Sequence, residues 1–277
     1  LRPLLRPREQ SHLLSQQPLG QPRPLRPERI HPARRRRNPG CDAGYYTYAG
    51  DTYHSQWSRT TQAHNSILVN GQGQPKSIEA KGNVSAFFNT PDHCFFIGDA
   101  SKAYEDLLQK FDRTILFIRP DITIVYDELR APEPSNYTWV LNTFDPAEID
   151  SASSSMTIKQ RDQWLVVQHL TPEKLDYTQN NNRPYPMKTR AWCRFTEAFP
   201  QHWNIRLTTA GKKKDDRFLA FMHTHDSSNG PKVKNVQKVD VHNAIGVRFD
   251  EGDCSETTLF RLAQNDKVGG AGIDTDA

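Results

Sequence analysis

The chain has 277 residues, 35% of them hydrophobic, with a mean hydropathy of −0.77 and a formal net charge of +4. That length suits one large all-β domain or two smaller ones, and with no run of about 18 apolar residues it excludes a membrane-spanning helix and any inserted partner role. The charge is uneven: residues 1–40 carry ten Arg and two Glu, a surplus of +8, so the remaining 237 residues carry −4.

Residues 1–40 also hold eight Pro, no Lys and no aromatic residue. Such a segment cannot bury enough apolar surface to offset backbone ordering, so a disordered tail is expected. Arg34-Arg35-Arg36-Arg37 and their surroundings admit three readings. One is a tail that neutralises a polyanion, and another is a Pro-rich spacer. The third is an aberrant stretch translated in the wrong frame from a GC-rich gene, whose codons favour Arg, Pro, Ala and Gly. The lack of Lys beside so much Arg fits the third. The chain starts at Leu1 and shows no apolar leader core, so it reads as a fragment or a processed product.

From Cys41 onward short apolar or alternating runs recur, separated by Gly, Pro, Asn and Asp. Strands are expected at Ser66–Asn70, Val84–Phe88, Cys94–Ile97, Thr114–Ile118, Ile122–Tyr126, Tyr137–Asn142 and Trp164–His169. Further strands are expected at Ala191–Glu197, Trp203–Thr208, Arg217–His223, Ala244–Phe249 and Thr257–Leu262. This rhythm predicts an all-β fold, a β-sandwich over residues 41–265, with a flexible end over 266–277. One short helix is expected around Ser101–Lys110. Arg119-Pro120-Asp121 suits a hairpin turn, Asp127 and Glu128 should end the strand that follows, and Thr171–Lys188 reads as an exposed loop. Cys41, Cys94, Cys193 and Cys254 lack metal or disulfide spacing and read as buried free thiols.

Three groups could carry chemistry. Asp42 and His64 pair a carboxylate with an imidazole at the mouth of an apolar strand, an ordinary zinc pair, although three protein ligands are the usual minimum. The plain alternative for His64 is a strand-start imidazole bonded to a carbonyl. His223 and His225 share one side of a strand and could meet a metal, though such pairs commonly only pack. Lys212-Lys213-Lys214 reads as a solvated hairpin tip or a contact for a sulfated polymer. No phosphate loop and no nucleic-acid module is present.

The run Asp42-Ala43-Gly44-Tyr45-Tyr46, followed by Arg59-Thr60 and Ala63-His64-Asn65-Ser66, resembles the heparinase II/III family of polysaccharide lyases. Gly98-Asp99-Ala100-Ser101-Lys102-Ala103-Tyr104, Arg113 and Arg119-Pro120-Asp121 keep the same order. The similarity spans about residues 41–250 and is closest to the heparinase II branch. It implies the sandwich half of a two-domain enzyme whose other half is an α/α-toroid. It also implies zinc on His, Asp and His; the last two fall on Asp42 and His64, while the first falls on Leu25, so a ligand is missing. The substrate implied is an acidic polysaccharide of the heparin or heparan sulfate kind. It is opened by β-elimination at a uronic acid, with Tyr46, Tyr53 and Arg59 as substrate-contact candidates and the main proton-transfer residues in the toroid. The parent protein is expected in the periplasm or secreted, with a homodimer as a further expectation. Two alternatives stay open: a carbohydrate-binding or structural module without catalysis, and a relative of the uronyl C5-epimerases.

Overall fold

The computed structural model describes residues 40–41, 51–182, 202–262, 268–270 and 273–275. In chain order the strands are β1 (Gly40–Cys41), β2 (Ile67–Val69), β3 (Asn83–Asn89), β4 (His93–Asp99), β5 (Lys110–Ile118) and β6 (Ile122–Ser135). Then come β7 (Tyr137–Thr143), β8 (Ala147–Asp150), β9 (Ser155–Gln160), β10 (Gln163–Thr171), β11 (Leu175–Asn180) and β12 (Trp203–Thr209). The last are β13 (Lys213–Asp226), β14 (Val233–Val241), β15 (Ala244–Glu251), β16 (Cys254–Arg261), β17 (Val268–Gly270) and β18 (Ile273–Thr275).

All pairings are antiparallel. An eight-stranded sheet runs β3-β4-β5-β6-β13-β10-β9-β8, a five-stranded sheet runs β1-β7-β12-β11 with β2 also on β7, and β14-β15-β16 form a third sheet. Two apolar cores hold these layers together. Between the five- and eight-stranded sheets lie Trp139, Leu141, Ile205 and Leu207 against Val125, Leu129, Phe218 and Ala220. On the far face of the eight-stranded sheet, Ile124, Tyr126, Leu219 and Phe221 meet Val247, Phe249 and Phe260 of the third sheet. Alternate residues of β13 therefore feed opposite cores. A sheet covered on both faces explains the continuous Phe218-Leu219-Ala220-Phe221 run.

The expected sandwich is present, with a third layer added. Several local expectations change. The helix expected at Ser101–Lys110 is a 3₁₀ segment, Ser101–Leu107, broken at Glu105 (φ 47°), and Lys110 already opens β5. Asp127 and Glu128 do not end their strand. Arg113 and Lys110 pair with them from β5 at 2.7 Å each, so the two charges sit within β6. The expected loop at Thr171–Lys188 contains β11, whose residues alternate strictly between half-buried and exposed, and residues 183–188 lie outside the described set. Lys212–Lys214 is no hairpin tip, because the chain there passes from β12 to β13 in a different sheet. Among the described cysteines, Cys41 and Cys94 are half-buried and Cys254 is exposed, rather than buried, and none forms a disulfide there. The pair β17–β18 lies where a flexible end was expected. Residues 1–39, the candidate strand Ala191–Glu197 and Cys193 lie outside the described residues.

Candidate functional site

The site grows from an interruption in the five-stranded sheet. β1 and β2 lie end to end along the same edge of β7: Cys41 pairs with Asn142, and Ile67 with Trp139. Asn65 fills the gap. Its Oδ1 accepts from Asn142 N (2.8 Å) and its Nδ2 donates to the Cys41 carbonyl (2.9 Å), so a side chain continues a ladder that the backbone leaves open. Val140 N donates to the Ser66 carbonyl.

The carbonyl of Asn65 is fixed from the other sheet. Arg113 donates Nη1 to it at 2.8 Å, while Nε and Nη2 make a bidentate pair with the fully buried Asp127, both at 2.7 Å. Burial works against the Arg113 charge, but the Asp127 carboxylate outweighs it and pushes the guanidinium up. Tyr104, also buried, donates to the Ile67 carbonyl at 2.6 Å and lies 3.1 Å from Ser66 Oγ. Its desolvation pushes the phenol up and keeps it protonated.

His64 stands at the head of this fixed strand, after the 3₁₀ turn Thr61–Ala63. Its Nε2 lies 3.0 Å from the Ser58 carbonyl, the plain arrangement for a strand-start imidazole and also the kind that orients a metal-bound one. Thr61 Oγ1 accepts from Gln74 N at 2.8 Å and so ties the turn after β2 to the same place. A Cβ on Gly73 would lie 2.3 Å from Thr61 Cβ, so only glycine lets that turn approach.

These elements enclose an open cleft of about 590 Å³ lined by Arg59, Thr61, His64, Ser66, Gln74 and Lys76, among others. Arg59 and Lys76 are exposed and His64 is half-buried. Lys76 Nζ donates to the Ser55 carbonyl, which orients its ammonium. The arrangement presents two cations and several hydroxyl or amide groups to one polar cleft, and among the described residues no carboxylate lines it.

The sequence candidates separate in space. Arg59 and His64 share the cleft. Tyr53 is 5% exposed and lines a different, narrow recess with Trp57, Asn142 and Asn204. Asp42 and Tyr46 lie outside the described residues. Among the described residues no three His, Cys, Asp or Glu side chains gather around a point that could hold a metal. They supply His64 alone to a zinc site, so the fit is incomplete there and rests on Asp42. His223 and His225 stack on each other, with ring centroids 5.7 Å apart at 23°, and His225 Nδ1 contacts the Asp226 carbonyl. Burial, with the His225 charge beside it, lowers His223 to about 4.

Sequence reasoning missed Lys76 and Gln74, whose only signal is the Gly71-Gln72-Gly73-Gln74-Pro75 turn. It noted Tyr104 and Arg113 in matching motifs without giving them a role.

Comparison with known proteins identifies the family and the fold. The family described as heparinase II/III-like, C-terminal, matches residues 35–217. No curated protein matches the sequence. Among solved structures, the heparan sulfate lyase HepC from Pedobacter heparinus superposes with a TM-score of 0.63 at 15% identity, covering 83% of this chain and 36% of that one. A heparinase III gene product with methylated lysines gives 0.62 at 13%, covering 82% and 34%. Another heparinase III gives 0.55 at 14%, covering 81% and 33%. At these identities the likeness is one of fold, and this chain spans about a third of the length of the structures it matches.

Proposed function

The chain belongs to the heparinase II/III-like C-terminal family, and from that premise we propose that it is the sandwich part of a lyase acting on an acidic, uronic-acid-containing polysaccharide of the heparin or heparan sulfate kind. The observation that carries the reading is the cleft in which Arg59 and Lys76 stand beside His64.

Elimination at a uronic acid needs three things. The C5 proton must leave to a base, the carboxylate charge must be offset as the carbanion character develops, and the C4 oxygen must receive a proton as its bond breaks. Arg59 and Lys76 are suited to the second task and to holding anionic groups of the polymer. His64, held at Nε2, is the imidazole placed nearest that task. Tyr104 is sealed under the cleft, with its hydroxyl on the Ile67 carbonyl, so it supports the strand and does not move protons. The complete acid–base pair belongs to the rest of the parent protein on this reading. Asp42 and His64 remain our proposed zinc pair. The parent is proposed to work in the periplasm or outside the cell, where such polymers are met.

A second reading is a module that binds the polymer without cleaving it. The cleft favours it in one respect: its cations are binding groups, and Tyr104 is not available as an acid.

The test uses the full chain and heparan sulfate fragments. Binding should weaken about tenfold in Arg59→Ala/Lys76→Ala and should fall as salt rises, as screening requires. Failure to bind at low salt would sink the proposal. Because the acid–base pair lies outside this chain on the lyase reading, elimination is followed with the whole parent protein, where an ultraviolet-absorbing unsaturated uronate marks it. Binding by the parent without that product favours the module, and C5 inversion without it favours the epimerase relative. Zinc near one per chain that is lost in His64→Ala supports the metal pair, and a metal-free wild type removes it.

A further inference from the structure

The third sheet lies beyond residue 217, where the family match ends, and it creates a second concavity. Between the outer face of β4–β6 and β16 runs a furrow of about 360 Å³. It shares no lining residue with the Arg59 cleft.

The sequence builds it from two adjoining rows. Ile97 pairs with Thr114 and Thr114 with Tyr126; one step along, Asp112 pairs with Glu128. The first row is mostly apolar and is walled by Phe95, Leu259 and Leu262. Its floor is Tyr126 stacked on Phe260, with centroids 5.0 Å apart at 19°. The second row is charged. Lys110 Nζ lies 2.7 Å from Glu128 and 3.4 Å from Asp112, and Arg261 stands exposed on the rim. Burial raises Asp112 despite Lys110. Tyr126 is 3% exposed, and its hydroxyl finds no hydrogen-bond partner among the described residues.

This lining differs in kind from the first cleft. Two carboxylates balance two cations, so an anion gains little from entering. Carboxylates accept, the ammonium and guanidinium donate, and a hydroxyl group can do both. The apolar walls suit the C–H faces of a ring. A concavity of this size with apolar walls beside a convergent set of polar groups is suited to a small molecule.

We propose that this furrow is a second carbohydrate site, taking an uncharged sugar unit with its ring between Ile97 and Leu259 and its hydroxyls on Asp112, Glu128 and Lys110. The site stands apart from the proposed elimination chemistry and holds whether the chain serves a lyase or a binding module.

The experiment titrates the full chain with cellobiose and, separately, with glucuronic acid, following the methyl signals of Leu259 and Leu262 by NMR. Cellobiose should saturate with Kd about 1 mM or tighter. Asp112→Ala, which removes an acceptor, and Ile97→Trp, which fills the furrow, should each weaken it at least about tenfold. Arg59→Ala should leave it unchanged, and glucuronic acid should bind more weakly than cellobiose. Thermal unfolding identifies any variant that fails to fold, and the other then decides. No saturation with cellobiose, saturation untouched by the folded variants, or tighter binding of glucuronic acid would overturn the proposal.

Discussion

Arg113 shows how one residue can serve both stability and site. It crosses from the eight-stranded sheet to hold the Asn65 carbonyl while satisfying both oxygens of buried Asp127. Arg113→Met removes the cation and leaves that carboxylate buried and unpaired, which costs about 3–5 kcal/mol. Chemical denaturation should show the loss as a lower midpoint. The double variant Arg113→Met/Asp127→Leu should recover much of it, because an apolar pair of similar volume is often no worse than a buried ion pair. Recovery of stability without recovery of polysaccharide binding would separate the fold from the site, since Asn65 would still lack its anchor. At this scale the sequence was partly legible. Ala63-His64-Asn65-Ser66 stands out because each residue type has one job there. Lys76 does not, because its position depends on a turn made by Gly71 (φ +78°) and Gly73 rather than on any pattern of its own.

Among the elements, β3 is the least protected. It is an outer strand of the eight-stranded sheet, and Val84, Phe87 and Phe88 are 63%, 69% and 58% exposed. An apolar, unpaired strand edge is a template for association between chains. Phe87→Lys should therefore reduce concentration-dependent association in light scattering, with little change in thermal midpoint because the side chain is exposed. If association persists unchanged, the homodimer expected from the family has no basis at this edge. Strands with strong apolar or alternating character were visible from composition: β2, β5, β7, β10 and β15 all coincide with expected runs. β8 and β9 are short, β11 is polar, and β14 mixes Val with Lys, Asn, Gln and Asp. Such strands owe their state to the neighbours they pair with, so local pattern does not mark them.

For the whole molecule, the layers bury imidazoles that would rather be charged in acid. His169 sits between the sheets, edge-on to Trp139 at 4.9 Å, and neither ring nitrogen has a hydrogen-bond partner among the described residues. Burial lowers it to about 3, against 6.5 for an ordinary His. The unfolded chain accepts a proton below about pH 6.5 that the folded chain refuses until about pH 3. Stability is therefore fully present above that upper value and is lost as pH falls through the interval, at up to about 1.4 kcal/mol per pH unit for each such group. His223, lowered to about 4, adds to the same slope. His169→Phe should flatten the acid limb of a stability–pH curve and hold or raise the midpoint near neutral pH, since it removes two unsatisfied nitrogens. An unchanged slope would mean that other groups govern acid unfolding. Two strands of the third layer were legible, since β15 and β16 coincide with expected runs, but their forming a separate layer was not: the continuous apolar run of β13 signals a cover on its second face and does not say which layer supplies it. A last consequence concerns the edge of β7. The chain departs from it after Cys41 and rejoins it at Ile67, with Asn65 closing the seam. Within the described part of the intervening stretch, residues 51–66, exposed Arg59 and half-buried His64 face the cleft while Asn65 fixes the end of the stretch to β7. Substitutions at the exposed positions can therefore change the recognition surface without moving the register of the sheet behind it.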